Sequence, residues 1–208
     1  MFEKPTPHAS LGILRCKVAR GVVPVCKQRG FTLIELSIVL TIVAILALFA
    51  VPKARSLILG AKVQPTADEL ASAVARIRAN NTINGTASYG GVTAALLSTT
   101  MMYRTNAFTA NGITLYHKIG SSTTAVTTAT TSIAASSDAF TVTLDAVNIA
   151  ACPELATALQ TVAEIIAMGP TGGSLTTVKA SASATFNGQV AAGLCTDGDT
   201  NKFVFTFR

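Results

Sequence analysis

The stretch that decides the fold is Arg29-Gly30-Phe31-Thr32-Leu33-Ile34-Glu35-Leu36, which joins a basic segment to a long apolar run. Glycine at position 30 gives the chain a flexible, uncrowded point at which a protease can cut. A secretory signal peptide is cut after its apolar segment, at small residues. Here the processing point precedes the apolar segment, so a cut would leave that segment on the mature chain.

Residues 31–52 form an apolar run in which Glu35 is the only charged residue. A helix of this length rises about 33 Å, which is enough to cross a bilayer core of about 30 Å. The run therefore predicts a transmembrane helix, and the alternative is a buried helix inside a soluble domain. Pro52 at the end of the run predicts a bend in the helix or an exit from it.

The positive charge is concentrated at the N-terminus. Residues 1–30 hold six Lys or Arg against one Glu, so they account for +5 of the net charge of +6. Basic residues beside a membrane span stay on the cytoplasmic side, which predicts a cytoplasmic N-terminus and an external C-terminus. The remaining residues are almost neutral and lack a basic patch, so we expect no direct nucleic-acid binding.

The sequence K-Q-R-G at 27–30 followed by F-T-L-I-E-L at 31–36 resembles the N-terminus of type IV pilin precursors. The resemblance implies that residues 1–30 are a removable leader and that a prepilin peptidase cuts the Gly30–Phe31 bond and N-methylates Phe31. It also implies assembly with other pilin subunits into a helical homopolymer by an inner-membrane pilus assembly machinery. The subunit would lie in the inner membrane as a single-pass protein before assembly and in an extracellular pilus afterwards.

Glu35 is the residue of the apolar run that most needs a partner. A carboxylate inside a membrane helix costs about 2 to 3 kcal/mol unless it pairs or takes up a proton. The resemblance assigns its partner as the new amine of Phe31, in the same or a neighbouring subunit, and gives Glu35 a role in assembly. The alternative is a carboxylate that reaches the membrane interface near the cytoplasmic end.

The resemblance implies an α+β fold, in which a long N-terminal helix packs on a C-terminal antiparallel sheet. We divide the chain into a leader (1–30), a transmembrane and assembly helix (31–52), an amphipathic helix (53–80) and a globular domain (81–208). Apolar residues recur at helical spacing over 53–80, and an interruption is expected near Pro65. Thr66-x-x-Glu69 is a possible capping box.

The globular domain contains patterns of both secondary structures. Alternating side chains at 140–144 and 203–207 predict half-buried strands, and the second strand places three phenylalanines on one face. Residues 153–168 carry an apolar stripe that predicts a helix ended by Gly169-Pro170. Further predictions are a short helix at 92–103, a strand at 113–119 and one or two strands within 178–190.

Residues 121–137 are almost wholly Ser, Thr and Ala. This composition buries little surface, and it predicts an exposed loop or edge ribbon. The hydroxyl density would suit O-glycosylation, but a bare surface loop is the favoured interpretation.

The four cysteines fall into two pairs. Cys16 and Cys26 lie in the leader without metal-ligand spacing, whereas Cys152 and Cys195 lie in the part expected to reach an oxidising compartment. We expect a disulfide between Cys152 and Cys195, which would close a loop of about 40 residues and stabilise the domain by about 4 kcal/mol. The alternative is two buried free thiols.

The sequence contains no recognisable catalytic set. His8 lies in the leader and His117 stands apart from any nucleophile, so we predict neither an enzyme nor a cofactor, and we interpret His117 as a surface or satisfied core residue. Asp197-Gly198-Asp199 could offer oxygens to calcium, but further carboxylates at regular spacing are missing. A hairpin turn is favoured there.

The subclass follows from weaker features. The distal cysteine pair, the phenylalanine-rich last strand and the leader of thirty residues resemble type IVb pilins, especially major pilins of thin or conjugative pili, whereas Phe31 is typical of the type IVa branch. The predicted function is that of a surface filament subunit used in adhesion, aggregation, motility or contact during DNA transfer. The alternatives are a minor pilin or type II secretion pseudopilin, a membrane-anchored extracytoplasmic binding domain or enzyme, and a secreted protein cut after Ala50.

Overall fold

The computed structural model describes residues 30–83, 89–101, 106–121 and 123–208, so the leader lies outside the described residues. The chain divides into two compact units, Met1–Leu48 and Phe49–Arg208. The described part of the first unit is the beginning of one helix. The second unit, which we call the head, holds the rest of that helix and all other elements. The amphipathic helix predicted at 53–80 therefore shares one compact unit with the sheet.

Helix α1 covers Leu33–Ala61 and continues through Pro52. The exit predicted at this proline is wrong, because the helix continues to Ala61, and the predicted bend stays a prediction. Proline removes one backbone hydrogen bond from a helix interior, and residues with high helix propensity on its C-terminal side, among them Ala54 and Leu57, sustain the helix beyond it.

Helix α2 covers Val63–Ile83 and begins directly after a break at Lys62. The interruption expected near Pro65 therefore lies three residues earlier, because Pro65 falls in the first helical turn, where a missing N–H costs little. The capping box predicted at Thr66 is wrong, since the Thr66 hydroxyl lies inside the helix and donates to the carbonyl of Lys62 at 2.7 Å. One face of α2 is buried through Val63, Ala67, Leu70, Val74 and Ile77.

The head is built on a seven-stranded sheet with the order β1-β2-β3-β4-β7-β5-β6, and each neighbouring pair is antiparallel. The fold is therefore α+β, as predicted. The strands are β1 Phe108–Asn111, β2 Thr114–His117, β3 Ala125–Thr131, β4 Ala139–Asn148, β5 Ile165–Pro170, β6 Thr176–Lys179 and β7 Asp199–Phe207. The shorter helices are α3 Ala94–Met101, a 3-10 turn Ile149–Ala151, α4 Cys152–Leu159 and α5 Gly188–Gly193.

The core lies under the two strands that the sequence predicted most clearly. Phe140 on β4 and three alternating phenylalanines on β7, Phe203, Phe205 and Phe207, are fully buried. The rings of Phe140 and Phe207 lie 5.5 Å apart, a spacing typical of stabilising aromatic pairs. The predicted strands at 140–144 and 203–207 are confirmed. The three phenylalanines of the second strand lie in the core, as their position on one face predicts.

The helix predicted at 153–168 is wrong in its second half. Helix α4 ends at Leu159, and Ile165–Pro170 is strand β5, which pairs with β6 and β7. Val162 and Ile166 continue the helical spacing of Leu155 and Leu159, but short apolar runs fit either secondary structure. The neighbouring strand β7 favours a strand at 165–170. Its free edge offers backbone donors and acceptors, which would stay unpaired if this segment were helical.

The loop or edge ribbon predicted at 121–137 is also wrong in part. Ala125–Thr131 is strand β3, which lies between β2 and β4 in the interior of the sheet. Its only buried side chain is Val126, so the strand is held by backbone pairing and by the β-branched threonines that suit strands. Further along the chain, 178–190 provides the end of β6 and the beginning of α5 rather than two strands.

A bulge interrupts β4 between Leu144 and Val147, and Ala146 adopts a positive φ of 58° there. Gly120 lies against this bulge. A Cβ at position 120 would overlap the carbonyl oxygen of Ala146 and lie 2.8 Å from the backbone nitrogen of Asn148. Only glycine fits, because the obstacle is backbone and cannot rotate away.

We therefore expect Gly120→Ala to lower the free energy of unfolding of the head by about 3 kcal/mol through overpacking. Gly193→Ala is the matched control, since a Cβ at position 193 meets nothing within 4 Å. It should change stability by less than about 1 kcal/mol. Urea unfolding of both variants followed by circular dichroism checks the difference, and equal stabilities would show that the bulge yields to the added methyl group.

Asp138 organises the turn that precedes β4. Its carboxylate accepts backbone N–H groups from Ile133, Ala134 and Ala135 at 2.7, 3.0 and 3.1 Å. The bond from Ile133, then those from Ala134 and Ala135 and the charge of Arg208, outweigh burial and lower the pKa of Asp138 from 3.8 to about 2. Because the folded-state pKa is depressed, its stabilising effect is present above pH 3.8 and is lost as pH falls through about 2.

Asp138→Asn should therefore unfold at lower urea than the wild type near neutral pH, since a neutral amide accepts these bonds more weakly. The difference between the two midpoints should shrink as pH falls toward 2, because the wild-type carboxylate then takes up its proton. Urea titrations at a series of pH values measure both midpoints. A difference that stays constant down to the lowest pH would contradict the role of the charge.

Candidate functional site: the start of helix α1

Gly30 and Phe31 precede helix α1 at the end of the predicted leader. Among the described residues, apart from its neighbour in the chain, nothing lies within 4 Å of the place where a Cβ on Gly30 would be. Packing therefore does not require glycine at position 30. Access of a protease to the backbone is the remaining reason for a glycine there. Phe31 is 85% exposed, so its side chain and the bond before it are accessible.

Thr32 and Glu35 cap the beginning of α1. The Thr32 hydroxyl accepts the backbone N–H of Glu35 at 3.3 Å, while a Glu35 carboxylate oxygen accepts the backbone N–H and the hydroxyl of Thr32 at 3.5 and 3.3 Å. This reciprocal arrangement is a capping box, here with long bonds. The carboxylate also lies in the first turn, where the helix dipole favours negative charge.

Sequence reasoning missed the capping role of Thr32. The T-x-x-E spacing of Thr32 and Glu35 is a signal for it, but the interpretation of Glu35 rested on its charge in an apolar run. Both hydrogen bonds that Glu35 accepts from Thr32 end on the same carboxylate oxygen, Oε2. The capping role and the predicted pairing are therefore compatible, because a carboxylate can cap the helix with one oxygen and accept a further donor with the other.

From Leu36 to Val51 the surface of α1 is apolar on all sides. Large apolar residues from Phe31 to Ile58 expose half or more of their side chains, including neighbours in sequence that point in different directions. The hydroxyls of Ser37 and Thr41 donate to carbonyls of the preceding turn at 2.8 Å, so they need no outside partner. A helix of this kind is stable only in lipid or among other apolar helices.

By length and composition, one helix among the described residues could cross a membrane, and it lies near the N-terminus. None of its most apolar 18-residue window is buried within the chain. Glu35 is the single charged residue of the segment from Phe31 to Pro52.

The distal cysteines are joined by a disulfide, Cys152–Cys195, which closes a sequence separation of 43 residues. Cys152 begins α4 and is fully buried, whereas Cys195 follows α5. The bond therefore ties these two short helices of the head together. The alternative of two free thiols does not hold. Cys16 and Cys26 lie outside the described residues.

The remaining polar candidates are occupied within the head. Asp199 accepts the Asn148 side-chain amide at 2.6 Å and pairs with Arg55 at 3.0 Å. Gly198 has a φ of +80°, as a tight turn requires, although the turn joins α5 to β7 rather than two hairpin strands. Among the described residues, no three His, Cys, Asp or Glu side chains are grouped so that they could hold a metal ion.

Comparison with known proteins identifies the N-terminal segment. Residues 26–51 match the family described as the prokaryotic N-terminal methylation motif. No curated protein is significantly similar to the chain. Among solved structures, the chain is similar to the crystal structure of a type IVb pilin from Salmonella typhi, with a TM-score of 0.45 and 17% identity over 67% of this chain and 95% of that one.

The matched motif ends within the apolar part of α1 and contains Gly30, Phe31 and Glu35. The chain therefore carries the prokaryotic N-terminal methylation motif across the start of its apolar helix. This agrees with the family resemblance of the sequence at 27–36.

Proposed function

We propose that the chain is a structural subunit of a type IV pilus, assembled through its N-terminal helix into a surface filament. The observation that carries the proposal is the methylation motif at 26–51 placed directly on a helix whose apolar surface is exposed all round. The motif accounts for processing, and the exposed surface accounts for both membrane storage and helix bundling. Such a filament would serve adhesion, aggregation, motility or contact during DNA transfer, and none of these tasks requires catalysis by the subunit.

The processing step is cleavage of the Gly30–Phe31 bond by a prepilin peptidase, followed by N-methylation of Phe31. Cleavage creates an ammonium group next to the first turn of α1, four residues before Glu35. In the apolar environment this charge is costly unless a carboxylate pairs with it. Pairing with Glu35 of a neighbouring subunit would set the register of each subunit that joins the filament.

The location follows from the same segment. Before assembly the subunit would lie in the inner membrane with its N-terminus in the cytoplasm and the head outside, since the leader holds most of the positive charge. The Cys152–Cys195 disulfide fits an oxidising compartment for the head. Its partners would be the peptidase, further copies of itself and the inner-membrane pilus assembly machinery.

The type IVb branch is the proposed subclass. The bonded distal cysteines and the buried phenylalanines of the last strand support it, together with the length of the leader. Phe31 is the feature that this branch would not favour, so the proposal for the family does not depend on the proposal for the branch.

The test is to determine the N-terminus of the mature chain and to recover sheared surface filaments. We expect a methylated Phe31 as the first residue and the chain as the main filament component. A first residue of Met1 or Val51 would overturn the processing step. Correct processing with only traces in the filaments would identify a minor pilin or a pseudopilin, and so would overturn the role as main subunit.

A further inference from the structure

His117 is a fully buried histidine at the end of strand β2, with no exposed surface. Its Nε2 lies 2.6 Å from the backbone carbonyl oxygen of Asp145. Because a carbonyl only accepts, Nε2 carries the proton of the neutral ring and Nδ1 keeps a lone pair. Nδ1 is buried and has no hydrogen-bond partner among the described residues. A second proton would thus place an N–H group in the core without an acceptor.

The carbonyl that binds His117 belongs to the bulge of β4. Asp145 precedes Ala146, whose positive φ is unusual for a residue with a side chain. The Asp145 carboxylate holds this conformation, since it accepts the N–H of Ala146 at 2.9 Å and the hydroxyl of Thr171 at 2.6 Å. The bulge therefore depends on local hydrogen bonds in direct contact with the histidine.

The segment after His117 follows the bulge closely. Ser121 donates its backbone N–H to Ala146, and Asn148 donates its own to Ile119, both at 3.0 Å. Gly120 lies between these bonds with no room for a Cβ. A change in the bulge must consequently move residues 118–121 as well.

The bulge of β4 and the segment 118–121 are both connected to the last turns of α1. The Asn148 side-chain amide donates to Asp199 at 2.6 Å, and Asp199 pairs with Arg55 of α1 at 3.0 Å. On the other side, Lys118 and Gly120 face α1 across a groove of about 620 Å³ that Leu59, the buried residue of α1, also lines. The Arg55 side chain is 63% exposed, and an ion pair at such a site contributes little to stability. This end of the helix is thus attached weakly enough to respond to a change in the bulge.

We propose that His117 is an acid-sensitive switch for the end of helix α1, in which proton uptake at Nδ1 opens the bulge at 145–148, weakens the Arg55–Asp199 pair and loosens residues 53–61 from the rest of the head. The inference concerns the head alone, and it does not rest on filament assembly.

The direction of the response follows from the groups around the histidine. Burial lowers the pKa of His117 below 6.5, while the bond to the Asp145 carbonyl and the charges of Asp145 and Asp199 raise it by less. Lys202 lies 4.0 Å from the Asp145 carboxylate, and Lys118 follows His117 on the chain. The opened state, with an ordinary histidine, takes up the proton first, so opening increases as pH falls below 6.5 and levels off below the folded-state pKa.

The experiment measures amide hydrogen exchange in residues 53–61 of the full chain in detergent micelles, at about pH 7.5 and about pH 5. After correction for intrinsic exchange rates, protection there should fall by up to about tenfold per pH unit below 6.5, while Phe203–Phe207 of strand β7 keep their protection. His117→Gln keeps an amide donor for Asp145 but does not titrate, so its protection should not change with pH. Asp199→Asn lacks the ion pair and should lower the protection of residues 53–61 at both pH values by no more than about fivefold, since an exposed pair contributes little.

Three results would overturn the proposal. One is equal protection of residues 53–61 in the wild type at both pH values, and another is a His117→Gln variant that loosens with acid as the wild type does. The third uses the wild type alone and therefore remains decisive if His117→Gln does not fold. It follows the protection of residues 53–61 over a series of pH values, and a loss that begins only below about pH 5, where carboxyl groups rather than an ordinary histidine take up protons, would separate the loosening of α1 from proton uptake by His117.

Discussion

Replacing Glu35 with alanine should leave the Gly30–Phe31 bond cleavable but abolish filaments. The cut lies outside α1 and at an exposed glycine, so we expect the protease not to require the carboxylate. We expect assembly to require it, since the new ammonium of Phe31 would otherwise stay uncompensated in apolar surroundings, at a cost of about 2.5 kcal/mol. For each added subunit this corresponds to about 70-fold weaker association. Sheared filaments and the mass of the cell-bound chain report the two steps separately.

Two further variants distinguish charge from helix capping. Glu35→Gln keeps an acceptor for the Thr32 N–H but has no charge, so it should lose filaments as Glu35→Ala does. Thr32→Val removes the hydroxyl of the capping box and keeps the carboxylate, and we expect close to normal filaments from it. If Glu35→Ala cells still carry abundant filaments, Glu35 has no role in assembly. If Thr32→Val fails as severely as Glu35→Ala, capping rather than charge is the property that matters.

Removing the Cys152–Cys195 bond should have the largest effect on the stability of the head. The bond closes a loop with a sequence separation of 43, for which the chain-entropy relation gives about 4 kcal/mol. This is a large part of the roughly 5 to 15 kcal/mol that is typical of whole domains. The double variant with alanine at both positions should therefore unfold at much lower urea. The fully buried position of Cys152 leaves little room for compensation by its neighbours.

Cys26→Ala is the matched control for this experiment, because the residue lies in the leader and would be absent from a processed chain. It should leave the unfolding midpoint of the mature protein unchanged. Reduction of the wild type with a thiol should reproduce the loss seen in the double variant. A loss below about 1 kcal/mol in both cases would show that the folded head does not depend on the cross-link.

The N-terminal site could be predicted because its information is local. The methylation motif and the apolar run lie almost entirely within residues 26–51, the segment that matches the family, whereas cleavage at Gly30–Phe31 stays a prediction. The strands at 140–144 and 203–207 could be predicted for a similar reason, since alternation of side chains is visible within five residues. In each case the pattern does not depend on what the distant parts of the chain do.

The errors concern segments whose structure is decided by a partner. Val162 and Ile166 fit the stripe of α4, yet β5 forms because Ile165–Pro170 pairs with Asn201–Thr206 of β7. Likewise β3 has little to bury, and its neighbours β2 and β4 supply the backbone bonds that define it. Pairing over such distances leaves no signature in a single short window.

The buried histidine shows a different limit of sequence reasoning. His117 ends strand β2, and the alternation of that strand places it on the same buried face as Leu115. Whether its ring finds an acceptor depends on the bulge in β4, which brings the carbonyl of Asp145 against it. Neither the bulge nor the positive φ of Ala146 could be read from the residues alone.

The position of strand β7 has a consequence for how the protein is made. Among the described strands β7 comes last along the chain, yet it lies between β4 and β5, and the β5–β6 hairpin joins the rest of the sheet through it. A ribosome therefore produces the joining strand after the strands that it joins. A nascent polypeptide that has not yet reached Asp199 leaves the two parts of its sheet unpaired with each other. Synthesis through Phe207 is thus a precondition for a folded head.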